Sequence, residues 1–224
     1  MTDLAFGGAS IDGGLYTSVT GFAQQMPHFL NVLVSYWTDL GLSVFALLML
    51  VGWWRARARL GGSTRRRLAH GEGRHTPAVQ MAMALAVPVI VVLAYVVNDV
   101  VKSFFHEQRP CQTLHVVTVE PCPGIGDWSF PSNHSVIAAS AAIALLLLDR
   151  RLGAIAIPAA LLMGASRVWV GAHYPHDVLV GLIVGTLVAA VLMPLARRAA
   201  PGRPGPGDPV APVGRRPVTP RGAT

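Results

Sequence analysis

The chain has 224 residues, of which 52% are hydrophobic and 13% charged. Soluble domains carry about 25% charged residues, so this composition argues against a soluble globular protein and for a membrane one. The formal net charge of +7 does not mark a nucleic-acid binder, because the arginines lie in two blocks, 55–74 and 197–221, each beside an apolar run, with no basic stripe interleaved with aromatics.

The N-terminus carries Asp3 and Asp12 and no basic region, so no cleavable signal peptide is expected. Residues 10–28 have mixed polarity, with Leu15, Tyr16, Val19, Phe22 and Met26 at helical spacing and Gly13-Gly14 weakening the start. That pattern predicts an interfacial amphipathic helix. A membrane-crossing helix needs about 20 mostly apolar residues. Five segments meet or approach this: 29–54, 79–101, 134–148 (its first turn starting at Ser132), 152–170 and 178–195. Pro88 and Pro158 fall inside two of them, which membrane helices tolerate when neighbours satisfy the freed carbonyl. From Pro201 the chain is rich in Pro, Gly and Arg, the composition of a disordered tail. The expected fold class is all-α: a polytopic membrane helix bundle of about five transmembrane helices plus an N-terminal amphipathic helix. Its parts are an interfacial segment 1–28, a transmembrane unit 29–196 and a basic cytoplasmic tail 197–224.

Basic residues in short connections set orientation. The connection after the first span holds Arg55, Arg57, Arg59, Arg65, Arg66, Arg67 and Arg74, which assigns it to the cytoplasm. Alternation then puts 102–133 outside, Asp149–Arg151 inside, 171–177 outside and Arg197-Arg198 inside. Anionic lipids at the cytoplasmic face are the expected partners of the basic connections. Cys111 and Cys122 share the outer loop, where a disulfide is permitted; two free thiols are the alternative.

Three polar clusters interrupt the apolar pattern: Lys102 to Pro110, Phe130 to His134, and Ser166 to Asp177. The topology places all three at one membrane face. Lys102, Arg109 and Arg167 bring three cations there, and a buried cation beside an apolar span is costly without a partner. Phosphate is the natural counter-ion, and Arg offers it a planar fork. Pro131-Ser132 precedes an apolar helix, so Ser132 is a candidate N-cap, and the helix start with Asn133 offers N–H groups to an anion. His134 sits in that first turn. Pro175 suits the first position of the last helix, which puts Asp177 in its first turn beside His173. A carboxylate there fixes the imidazole tautomer and leaves the other nitrogen free to attack phosphorus.

At these residues the chain resembles the type 2 phosphatidic acid phosphatase (PAP2) superfamily, whose signature is K-x6-RP, PSGH and SR-x5-H-x3-D. Here stand Lys102-x6-Arg109-Pro110, Pro131-Ser132-Asn133-His134 and Ser166-Arg167-x5-His173-x3-Asp177, with Asn133 where Gly is usual. The resemblance implies that His173 is the nucleophile, Asp177 its orienting carboxylate and His134 the general acid. It also implies that Lys102, Arg109, Ser132, Asn133 and Arg167 hold the phosphate. It implies no cofactor and no metal, and His106, His115 and His176 lack metal-type spacing with acids. His176 reads as a pH-sensitive surface group.

The chain to about residue 196 is further similar to the bacterial undecaprenyl-diphosphate phosphatases of the BcrC type. The similarity includes Tyr36-Trp37-Thr38-Asp39 at the start of the first span, Ser-Phe-Pro-Ser, and Val-Gly-Ala-His-Tyr-Pro. It implies removal of the terminal phosphate of a polyprenyl diphosphate at the extracytoplasmic face of the cell membrane, recycling the carrier for cell-wall synthesis. Phosphatidate or phosphatidylglycerol phosphate as the substrate is the alternative, since the motifs read phosphate rather than tail. A non-enzymatic anionic-lipid-binding protein has no need of His173 with Asp177. The membrane spans oppose vanadate-dependent oxidation, which a wider resemblance to vanadium haloperoxidases suggests.

Overall fold

A computed structural model describes residues 7–61 and 76–200. In chain order the helices are α1 (Gly8–Gln25), α2 (His28–Leu60), α3 (Pro77–Phe104), α4 (Pro110–Leu114), α5 (Asn133–Leu148), α6 (Arg150–Trp169) and α7 (Pro175–Ala199), and no strand occurs among the described residues. The all-α expectation holds. Residues 1–6, Arg65–Arg74 of the basic connection and the tail from Pro201 lie outside the described residues.

Helix ends depart from the hydropathy boundaries because capping, and not apolarity, sets them. α2 runs on to Leu60 through Arg55, Arg57 and Arg59, good helix formers whose charge suits a C-terminal dipole end. α3 starts where the Thr76 hydroxyl accepts the Val79 N–H at 3.3 Å. α6 starts where Asp149 accepts the Arg151 N–H at 2.9 Å. α7 begins with Pro175 and continues through Arg197 and Arg198, so residues 197–199, expected in the tail, are helical.

Four helices, α2, α3, α6 and α7, are long and apolar enough to cross a membrane. The fifth expected span, α5, has 16 residues. That is a rise of about 24 Å, short of the roughly 30 Å hydrocarbon core. It is nonetheless the centre of the bundle, packed by α2, α3, α6 and α7, with Val136, Ala141, Ala144 and Leu145 buried. A helix walled in by four others need not cover the hydrocarbon alone. Phe45, Leu48, Val87, Ile90, Met163 and Met193 complete the core around it.

The outer faces are apolar as well. Leu33, Leu40, Leu47 and Trp54 on α2, and Leu179, Ile183, Leu187 and Val191 on α7, form exposed stripes at helical spacing. Apolar stripes of this length belong against lipid, so this is a multi-pass membrane protein.

α7 lies close against α5 because Gly181 and Gly185 face it. A Cβ on either would run into the Ser132 or Val136 carbonyl oxygen. Small residues allow this backbone approach, and it brings the start of α5 to the start of α7, where the Ser132 N–H donates to the Asp177 carbonyl at 3.1 Å.

α1 rests on that same end, against α4, α6 and α7. It buries Gly13, Tyr16, Thr20 and Ala23, while Leu15 and Phe22 point outward. The face docked on the protein is therefore offset from the apolar stripe read in the sequence. Its backbone leaves helical geometry at Asp12 (φ −145°, ψ 24°), just before Gly13-Gly14.

Candidate active site

The backbone that carries His173 is held from three sides. α6 ends in a turn at Gly171, whose φ of +89° favours glycine. The Arg167 carbonyl accepts the N–H groups of Ala172 (3.0 Å) and His173 (3.2 Å). The Tyr16 hydroxyl, from α1, donates to the Gly171 carbonyl at 2.9 Å. Arg167 and His173 thus have a fixed relation, although six positions separate them.

Two contacts define the state of the His173 ring. Arg109 Nη1 lies 3.1 Å from Nε2. A guanidinium only donates, so Nε2 presents its lone pair. The ring proton is then on Nδ1, which faces Asp177 Oδ2 at 3.4 Å. Asp177 is fully buried, and its Oδ2 also accepts the Ser129 hydroxyl and the Tyr174 N–H. Burial first, then the charges of Arg109, Arg167 and Lys102, hold the His173 imidazole well below its ordinary pKa. A neutral ring with Nε2 free is the form suited to nucleophilic attack.

The three cations converge here. Lys102, Arg109 and Arg167 are each at most 8% exposed. Lys102 Nζ donates to the Trp128 carbonyl at 3.0 Å. Arg109 donates to the Ala172 carbonyl and forms an ion pair with Asp127 at 2.9 Å. Arg167 approaches Glu120 at 3.7 Å, and its buried Nε has no hydrogen-bond partner among the described residues. Burial raises the Glu120 pKa, opposed by Arg167. Ser132 occupies the N-cap position of α5 but caps nothing with its side chain, and its buried hydroxyl also lacks a partner among the described residues. Buried polar groups are normally bonded. Two orphaned donors beside a helix N-terminus and three cations fit the oxygens of a phosphoryl group.

The Asn133 side chain is drawn aside by Asn98 of α3, whose amide donates to Asn133 Oδ1 at 2.6 Å and to the Pro131 carbonyl at 3.3 Å. The Asn133 carboxamide oxygen is thus occupied by Asn98, and its backbone stands in the first turn of α5, where the helix start can offer N–H groups to an anion. His134, half-buried in the first turn of α5, adds to the field felt by His173.

The loop between α3 and α5 covers this end. A disulfide joins Cys111 to Cys122 within it. Gln112 binds the Pro123 and Gly124 carbonyls, and the ring of Trp128 lies against His106. His115 caps α4 in the left-handed region.

His176 is not the surface group that its neighbours in sequence suggest. Its side chain is 14% exposed and sits between Asp12 of α1 and Glu107 of the loop. Glu107, His176 and Asp177 place one ligand-type atom each within 4.8 Å of one another. Ser129, Glu107, Asp12 and Asn98 are the site neighbours that motif spacing missed. Ser129 and Glu107 had a signal, the one as the first residue of Ser-Phe-Pro-Ser and the other as a member of the cluster Lys102 to Pro110.

Residues 83–200 match the family model described as the PAP2 superfamily. The chain is 38% identical over 95 residues to the undecaprenyl-diphosphatase BcrC of Bacillus subtilis, covering 42% of this chain and 47% of that one. It is 34% identical over 100 residues to an undecaprenyl-diphosphatase of Sulfolobus acidocaldarius, covering 44% and 48%. The chain thus spans about half the length of these curated relatives. A transmembrane PAP2-type phosphatidylglycerolphosphate phosphatase from Bacillus subtilis shares the fold at a TM-score of 0.54 and 22% identity, over 88% of this chain and 93% of that one.

Proposed function

The chain belongs to the PAP2 superfamily, and on that premise we propose that it is a membrane lipid-phosphate phosphatase working through a phosphohistidine. The observation that carries this reading is the pattern around His173: a lone pair on Nε2 among three buried cations, and a proton on Nδ1 facing a buried carboxylate. Nε2 attacks phosphorus while Asp177 stabilises the charge that develops on the ring. Arg109 turns from Nε2 to a phosphate oxygen as substrate enters. Lys102, Arg167, Ser132 and the N–H groups at Asn133 hold the remaining oxygens, so the transition-state charge meets preorganised donors. His134 gives its proton to the leaving oxygen. It then takes one from the water that attacks the phosphohistidine, which releases inorganic phosphate and restores the ring.

The site faces the extracytoplasmic side in this reading. Arg55, Arg57 and Arg59 lie at the opposite end of the bundle, Arg55 beside Asp149, and basic ends stay cytoplasmic, where they meet anionic lipids. The substrate is a polyprenyl diphosphate that loses its terminal phosphate, as the names of the two undecaprenyl-diphosphatase relatives support. Purified protein is assayed on undecaprenyl diphosphate, phosphatidate and phosphatidylglycerol phosphate, with His173→Ala as control. The expected result is preference for the diphosphate and no turnover by the variant. Faster release from either phospholipid by orders of magnitude overturns the polyprenyl assignment, and undiminished His173→Ala activity overturns the nucleophile.

A further inference from the structure

His173 and His176 are three residues apart and do opposite jobs with the same ring. Among the described residues, the ion-pair and hydrogen-bond partners of the His176 ring are carboxylates. Nδ1 lies 2.9 Å from Asp12 Oδ1 of α1, and Asp12 Oδ2 accepts the His176 backbone N–H at 2.7 Å. Nε2 lies 3.2 and 3.3 Å from the two oxygens of Glu107 and 3.4 Å from Asp177 Oδ1. Tyr174 stacks on the ring at 5.4 Å, and Phe130 lies beyond it at 5.9 Å. A neutral imidazole has one donor and one acceptor nitrogen, whereas an ionised carboxylate only accepts. Ionised carboxylates on both nitrogens require a ring that donates twice.

Glu107 and Asp177 need that proton most. They are 2% and 0% exposed, and neither Glu107 Oε1 nor Asp177 Oδ1 has a hydrogen bond among the described residues. Two buried carboxylates this close disfavour each other's ionised form. Lys102 and Arg109 lie on the far side of Asp177, toward the site of attack, where an arriving phosphate competes for them. His176 is the cation on the near side.

We propose that His176 is a positioning residue: as an imidazolium clamped by Asp12 and Glu107, it holds the outer oxygen of Asp177 and keeps that carboxylate ionised to orient His173. Asp177 then has its Oδ2 directed at His173, Ser129 and the Tyr174 N–H, and its Oδ1 at His176. The clamp also makes α1 part of the catalytic unit, since Asp12 holds the ring from the helix that supports Gly171 through Tyr16. This extends the phosphatase reading, and its kinetic arm rests on it.

The direct test is independent of turnover. Full-length protein labelled with ¹⁵N-histidine in detergent micelles is examined by NMR at pH 7.5. Both nitrogens of His176 are expected to carry protons, against one for His173. A neutral His176 overturns the proposal. So does a zinc-dependent signal with Nε2 unprotonated, because a metal ion would then hold Glu107, His176 and Asp177 together.

The kinetic arm uses phosphate release from farnesyl diphosphate as probe. His176→Gln leaves two buried carboxylates without their cation, and one takes up a proton. The acid limb of kcat/KM should rise by about one pH unit, a loss of about tenfold on that limb with KM little changed. Glu107→Gln added to His176→Gln removes the competing carboxylate and should restore most of the loss. An unshifted limb, or a double variant worse than the single one, overturns the proposal, since a merely structural role makes the losses add. Absence of phosphate release by the wild type would instead count against the phosphatase reading, with the NMR result still judging His176.

Discussion

The two ends of the helix bundle treat positive charge in opposite ways. At one end Lys102, Arg109 and Arg167 are buried, the first two held by carbonyls and the third beside Glu120, and Ser132 and Arg167 keep donors that are unpartnered among the described residues. At the other, the Arg55 side chain is 40% exposed beside Asp149, Arg57 lies over the Trp53 ring, and Arg59 donates to Gln80. Burying a cation costs several kcal/mol unless a counter-charge arrives, whereas an exposed pair is worth about 0–1 kcal/mol. The first arrangement makes sense as a receptor for an anion. The second needs no ligand, and on the proposed topology it orients the chain in the bilayer.

Substitutions at the two ends should separate these roles. The largest effect is expected from His173→Gln, which removes the nucleophile: turnover should fall by about 10⁴-fold or more with the thermal midpoint in detergent nearly unchanged. Arg167→Lys keeps the charge and loses the fork, so kcat/KM should fall by about 10²-fold; near-normal activity would mean that Arg167 only balances Glu120. The pH profile is the next test. With the His173 pKa depressed by burial and cations, the ring stays neutral below the ordinary range near 6.5. The acid limb of kcat/KM should therefore lie below pH 6.5. A limb at or above that value would contradict the buried cation cluster. Cys111→Ser with Cys122→Ser frees the covering loop and should cost about 2–3 kcal/mol by the loop-closure argument, with a few-fold loss of activity. Arg55→Ala should do least: a stability change under about 1 kcal/mol and unaltered turnover. A strong effect there would erase the contrast between the ends.

Most of the fold was legible because apolar runs of membrane length are hard to mistake. What hydropathy missed were positions decided by hydrogen bonds. The start of α3 at Pro77, set by the Thr76 cap, is an example, whereas the start of α7 at Pro175 was readable from the proline itself. α5 reads as a short span, 134–148 with its first turn from Ser132, and the chain does turn at Asp149 after 16 residues. In the site, His173, Asp177, Arg109 and Arg167 were legible because spacing along one helix end or loop fixes their relation. The surroundings of His176 were not, because Asp12 and Glu107 reach it from 164 and 69 residues away. The same applies to Asn98, which meets Asn133 across 35 residues. Long-range pairing of this kind leaves no local period to read.

The brevity of α5 also sets a depth. Its inner end is tied to α6 at Asp149-Arg150, so the shortfall of about 6 Å against a 30 Å hydrocarbon core falls at the end that holds Ser132. On the proposed topology this recesses the floor of the site below the headgroup plane. The phosphatase reading then has a lipid lower its phosphate into that recess with its tail still among its neighbours, so that hydrolysis needs no extraction of the substrate from the leaflet.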